Sequence, residues 1–305
     1  MSEEIRTTVN SAGVSNSAVM KLLGKEVKYP TTYDPSVLVR EPRETNRKAI
    51  GLNPDDLPFK GHDIWHLWEM SCINGSTNIP EVGIFKLIYP SNSKYLVESK
   101  SLKLYTFSFN NDTYPNGLKD VASIMMRDLS TLLETNARIT FHNVESSKGA
   151  ILDPNLMIYN LCNYAQNINV DTDEWKTEKK LHINTNEMTM QTTLLRSLCR
   201  VTSAPDYGDA ACYFNVELPI NTEYIAAKFR DIVVSFRNQN HFHEESCEGI
   251  YYQLYKLLKG YGLKELFVGC FYTRRGGIDI NPIRYYKDNI YSNFGAIHLF
   301  KTLRQ

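Results

Sequence analysis

The chain has 305 residues, 42% hydrophobic and 22% charged, with 34 basic and 34 acidic side chains and a formal net charge of zero. That length fits one large domain or two of ordinary size, with a core that needs no covalent staples. Zero net charge argues against a general electrostatic nucleic-acid binder, though not against a local basic pocket, and no apolar run reaches the length of a membrane span.

Residues 1–28 open with MSEEIRTTVNSAGVSNS. This is polar, with no apolar stretch, so it reads as a flexible tail and not as a secretory signal. Residues 29–61 hold five of the twelve prolines and read as an irregular arm. Val82 to Tyr89 mixes branched and aromatic residues before Pro90 and predicts a strand. Lys103 to Phe109 alternates well enough to predict another. Leu118, Val121, Met125, Leu129 and Leu132 recur at helical spacing. Ala137 to Val144 returns to strand, and a polar connection of roughly 145–190 follows, with room for one strand.

The second half opens on the loop R-S-L-C-R-V-T-S-A-P-D, residues 196–206. Cys212 to Val216 predicts a strand. Asn221 or Thr222 caps a helix that buries Ile225, Phe229, Ile232, Val233 and Phe236. A second helix follows His243, with Ile250, Leu254, Leu257 and Leu258 on one face, and Gly260 and Gly262 end it. Leu266 to Tyr272 and Ile278 to Arg284 are strands around an R-R-G-G turn. Both halves read strand, helix, strand. The fold class is α+β, with antiparallel sheet and helices on one face.

Four stretches can carry chemistry. The six cysteines (72, 162, 199, 212, 247 and 270) form no CxxC pair and read as reduced thiols of a cytosolic protein. Cys212 and Cys270 lie in apolar strands, where packing explains them. Cys199 instead begins a segment of loop composition. Arg200 is adjacent, and a nearby cation favours the nucleophilic thiolate. Asp206 lies across the turn and can pass protons. The stretch H-F-H-E-E, residues 241–245, leaves three readings open. His241 and His243 with a cysteine suit zinc, acidic residues stabilise a helix N-terminus, and the Glu244 carboxylate suits the paired donors of a guanine-like edge. In V-E-S-K-S-L-K-L-Y, residues 97–105, Lys100 and Lys103 suit phosphates, but alternating lysines also protect an edge strand. In Y-T-R-R-G-G-I-D-I-N-P, residues 272–282, two arginines suit a phosphate and two glycines a plain turn. Neither a G-x-G-x-x-G nor a P-loop motif is present.

Taken together, E-S-K-S-L-K-L-Y at 98–105, F-H-E at 242–244 and Y-T-R-R-G-G-I-D-I-N-P at 272–282 resemble the 7-cyano-7-deazaguanine reductases, the nitrile reductases of the queuosine pathway. D-P-S-V-L at 34–38 and D-I-W at 63–65 are also similar. The lysine-rich motif precedes the cysteine, as in the longer, two-module form. The resemblance implies a tunnelling fold (T-fold) of two tandem modules, spanning 29–146 and 191–305, joined by 147–190. It implies a homodimer acting on a free deazaguanine base, with no direct nucleic-acid or membrane contact. NADPH would reduce the nitrile to a primary amine. Cys199 would form a covalent thioimide, Asp206 would relay protons, and His243 would position and protonate. Val97, Glu98, Ser99, His243 and Glu244 would hold the base, and Ser99, Lys100, Arg275 and Gly276 the cofactor, with no metal. Two other outcomes stay open. One is amide or amidine formation at the same C7 substituent without full reduction; the other is a zinc-dependent, cyclohydrolase-like enzyme. A non-catalytic purine-binding module is a further alternative.

Overall fold

A computed structural model describes residues 29–143, 166–177 and 183–286. The expected tail over 1–28, much of the connection over 147–190 and the end of the chain lie outside the described residues.

The Pro-rich arm is short pieces of structure: a 3-10 turn at Pro35–Val37, β1 (Arg40–Pro42) and α1 (Glu44–Ala49). Then come β2 (Lys60–Asn74), β3 (Ile79–Pro90), β4 (Tyr95–Val97), α2 (Ser99–Phe107), β5 (Thr113–Tyr114), α3 (Leu118–Leu133) and β6 (Arg138–Asn143). The second part holds β7 (Gln166–Asn169), β8 (Asn184–Cys199), β9 (Pro205–Asn221), α4 (Thr222–Ser235), β10 (Asn240–His241), α5 (His243–Lys259), β11 (Leu263–Tyr272) and β12 (Ile278–Tyr285).

The strands join into one sheet of order β10-β8-β9-β11-β12-β2-β3-β6, antiparallel along its main body. Short parallel pairings attach β10 and β7 to β8, and β5 to β2. The molecule is therefore α+β with a largely antiparallel sheet. Its two parts meet where β12 pairs with β2, from Ile278↔Leu67 to Tyr285↔Lys60. Alternation along the strands sends one set of side chains to the helices. Phe229, Ile250, Leu254 and Phe214 gather under α4 and α5, while Phe85, Leu87, Leu102 and Met125 gather under α2 and α3. The alternate set, including Ile64, Phe267, Phe271 and Ile283, forms a smaller cluster on the opposite face. No helix among the described residues is long and apolar enough to cross a membrane.

Two expectations are corrected. The segment over Lys103–Phe109 is not a strand; residues 99–107 are helical. Glu98 caps this helix, its carboxylate accepting the Ser101 N–H at 2.7 Å. Leu102, Tyr105 and Thr106 then fall on one buried face. The second correction concerns the Cys199 segment. Residues 196–199 belong to the end of β8, a strand that begins inside the expected connection, and Pro205 already starts β9. The true turn is only the five residues between them, Arg200 to Ala204. The helix capped by Asn221 begins as expected, with the Asn221 side chain accepting the Tyr224 N–H at 2.8 Å.

Candidate active site

The seam between β12 and β2 sets one end of each part against the other. A cavity of about 130 Å³ opens there. It takes Val97, Ser99, Lys100 and Lys103 from β4 and α2. From the second part it takes Cys199, Asp206, His243, Glu244 and Arg275. Residues about a hundred positions apart in sequence thus face one another across a space fit for a small ligand.

Cys199 is the last residue of β8, and its N–H donates to the Ala204 carbonyl at 2.8 Å, closing the turn. The thiol is half-buried. Burial alone would raise its pKa. Hydrogen bonds from the Thr202 hydroxyl and from the N–H groups of Thr202 and Val201, with the charge of Lys100, outweigh that and lower it. Lys100 Nζ lies 3.4 Å from Sγ. Arg200 does not play the part its adjacency suggests. Its guanidinium turns to Glu245 at 2.5 Å and lies over the Phe242 ring.

Asp206 opens β9 and is shared. One oxygen lies 3.3 Å from His243 Nε2, and the other accepts from Arg275. Burial would raise the Asp206 pKa, but these two partners hold it low. His243 starts α5, and its ring stacks on Tyr272 at 3.7 Å between centroids and 8° between planes. That stacking fixes the imidazole plane, and its Nδ1 is buried without a hydrogen-bond partner among the described residues. His241 turns elsewhere, to Gln239 at 3.0 Å and Glu245 at 3.5 Å. The two histidines therefore do not converge on one point.

Two buried carboxyl groups each leave one oxygen unpartnered: Glu244, which lines the cavity, and Glu98, which sits between the lining residues Val97 and Ser99. Glu98 Oε1 has no hydrogen bond, and only Lys100 Nζ stands near it, at 3.8 Å. Glu244 Oε1 is likewise unpartnered. Burial first, then the nearby Asp63 charge, pushes Glu244 up to about 8, against the pull of Arg43 and Arg284. An orphaned buried acceptor is costly in a free protein and useful when a ligand brings the missing donors.

The Glu244 shift gives a testable sign. Its pKa is raised in the folded state, so the native protein holds a proton that the unfolded chain has lost. Stability from this group is full below pH 4.5 and fades as pH rises towards about 8. Thermal unfolding midpoints of the wild type should fall across that window relative to those of Glu244→Gln. Parallel pH curves for the two proteins would contradict the assignment.

The sequence leaves Lys103 between a phosphate ligand and an edge-strand lysine. In the structure it is one helical turn beyond Lys100 and lies beside Gly276, where an added Cβ would come within 3.3 Å of its Nζ. Burial, then the charges of Lys100 and Arg275, lowers its pKa. Glu98 at the cap, read as a helix start, would have placed Ser99, Lys100 and Lys103 on one turn. Thr202 and Trp65 also line the cavity; each lies in a stretch the sequence singles out, the 196–206 loop and D-I-W, but neither is marked there as a site residue.

Residues 29–141 match the family described as nitrile reductase, 7-cyano-7-deazaguanine reductase N-terminal domain. The matched span contains β2, β3, α2 and α3, with the 97–103 wall of the cavity. A solved structure, the apo form of the archaeosine synthase QueF-Like, is similar over 36% of this chain and 99% of that one. Its sequence identity is 12% and the TM-score 0.29, a likeness too distant to argue from.

Proposed function

We propose that this member of the nitrile reductase family reduces 7-cyano-7-deazaguanine to 7-aminomethyl-7-deazaguanine with NADPH. The observation that carries the reading is the convergence of a lowered-pKa thiol, an Asp206–His243 pair and the buried Glu244, with one unpartnered carboxyl oxygen, on one cavity. The division into two modules, 29–146 and 191–305 with a connection over 147–190, and the tunnelling fold are part of the same proposal. Separate apolar cores under each helix pair support it. So is the homodimer, which would extend the sheet at its outer strand β6.

In this mechanism the base enters with its amide and amino donors towards Glu98 and Glu244. One oxygen of each, Oε1, lacks a donor in the free protein. Val97 packs against the ring. The Cys199 sulfur attacks the nitrile carbon, forming a C–S bond, and the nitrile nitrogen takes a proton, giving a thioimide. The Asp206–His243 pair, joined at 3.3 Å, supplies and takes up protons at that nitrogen. Two molecules of NADPH would each supply one hydride, the first to the thioimide carbon, after which the C–S bond breaks to return the Cys199 thiol and leave an imine, and the second to that imine carbon. The chain fits its phosphates with Ser99, Lys100, Lys103, Arg275 and the close-approach Gly276.

The decisive experiment incubates purified protein with 7-cyano-7-deazaguanine. Intact mass should show one adduct, mapped to Cys199. Added NADPH should then be consumed at about two per base, the stoichiometry of a nitrile-to-amine reduction. Absence of both adduct and NADPH oxidation would overturn the proposal. An adduct without NADPH oxidation would instead favour amide or amidine formation. Lys100 at Cys199 and Arg275 at Asp206 give that second reading its footing, because two cations meant for a cofactor already have partners.

A further inference from the structure

The cation that serves Cys199 comes from the other part of the chain. Lys100 Nζ, on the first turn of α2, lies 3.4 Å from Sγ, although 99 positions separate the two residues. Its second neighbour is Glu98 Oε1, at 3.8 Å. Glu98 cannot move to meet it. The carboxylate is 1% exposed, and its other oxygen is fixed by the Ser101 N–H at 2.7 Å. A rigid acidic cap therefore draws the ammonium to a point between the carboxylate and the thiol. The cations that could compete are committed or set back. Arg200 pairs with Glu245, and Arg275 with Asp206. Lys103 lies against Gly276.

We propose that Lys100 is the resident counter-ion of the Cys199 thiolate, held in place by Glu98. The nucleophile of the second part is thus activated by the helix of the first. A half-buried site strengthens this pairing relative to water, because the charges interact through a lower effective dielectric. Other titratable groups lining the thiol's cavity are Asp206, Glu244 and Asp279, whose negative charge opposes ionisation, and Lys103, Arg275, His241 and His243, whose positive charge favours it. Among the lysines and arginines of the cavity Lys100 alone makes the contact, and it adds its charge to the hydrogen bonds from Thr202 and Val201. The assignment is independent of substrate and cofactor, so its test can fail while the reductase proposal stands, and the reverse.

The test follows alkylation of Cys199 by iodoacetamide across pH, read by peptide mass on the full chain. The wild-type midpoint should lie below the roughly 8.5 of a free thiol. Lys100→Met should raise it by about one unit, which leaves about tenfold less thiolate below the midpoint. Lys100→Arg should keep the low midpoint. Arg200→Gln should leave it unchanged, despite being the neighbour in sequence. The Lys100 side chain is 34% exposed, so its replacement leaves the fold intact, and a thermal melt checks this. A Lys100→Met midpoint equal to the wild type, or an equal rise in Arg200→Gln, overturns the proposal.

Discussion

Cys199→Ala is expected to abolish the covalent adduct and to lower NADPH oxidation by at least about 10³-fold, while the protein still binds the base. The size follows from the proposed mechanism, in which the covalent intermediate on Cys199 makes the C≡N bond reducible. Retained binding follows from geometry, because Glu98 and Glu244 lie on elements that the substitution leaves alone. No other described cysteine can stand in. Cys72, Cys212, Cys247 and Cys270 are all buried, unlike Cys199. Burial pushes the Cys72 thiol up to about 11 and raises Cys212 and Cys247 as well. The measurements are intact mass, NADPH absorbance and equilibrium titration with the base. An adduct that persists in Cys199→Ala, or a loss of turnover under tenfold, would remove Cys199 from the chemistry.

Where local pattern and tertiary packing agree, the sequence was readable. Residues 118–133, 222–235 and 243–259 show an apolar stripe at helical period, and the structure buries that stripe. Residues 263–272 and 278–285 flank a turn whose glycines take positive φ, 58° at Gly276 and 73° at Gly277. Two failures have distinct causes. In S-L-K-L-Y-T-F, apolar residues also alternate, so strand and helix periods both fit. Only the Glu98 cap and the burial of Leu102 and Tyr105 decide for helix. In β8, threonine and methionine replace the usual branched apolar residues. The register also shifts between Thr192 and Leu195, so the period of two breaks mid-strand. The site shows the same division. Cys199, Asp206, His243 and Glu244 were legible as residue types in short motifs. The partner of the thiol was not, because adjacency named Arg200, whereas strand pairing at the β12–β2 seam brings Lys100 instead.

That seam rests on buried charge, and Arg284→Met is expected to destabilise the fold by about 3–5 kcal/mol. Arg284 Nη1 lies 2.8 Å from Asp63 and Nη2 lies 2.9 Å from Glu248. Arg43 also pairs with Asp63, and Arg47 with Glu248 at 2.7 Å. All five side chains are 4% exposed or less. They come from the arm with α1, from β2, α5 and β12, so one cluster ties both parts together. Three arginines face two carboxylates here, and the third acid that feels them is Glu244. It sits one turn before Glu248 on the same helix. The excess positive charge thus favours an ionised Glu244, while burial opposes it. Removing Arg284 leaves Asp63 and Glu248 short of a partner and weakens that support. Base affinity should fall along with stability, although Arg284 does not line the cavity. Urea unfolding of Arg284→Met, Glu248→Gln and the double variant tests this. The double variant should lose less than the sum of the singles, because each single strands a charge that the double removes. Additive losses, or a cost below about 1 kcal/mol for Arg284→Met, would show that the cluster acts as independent pairs rather than as one clamp beneath the base site.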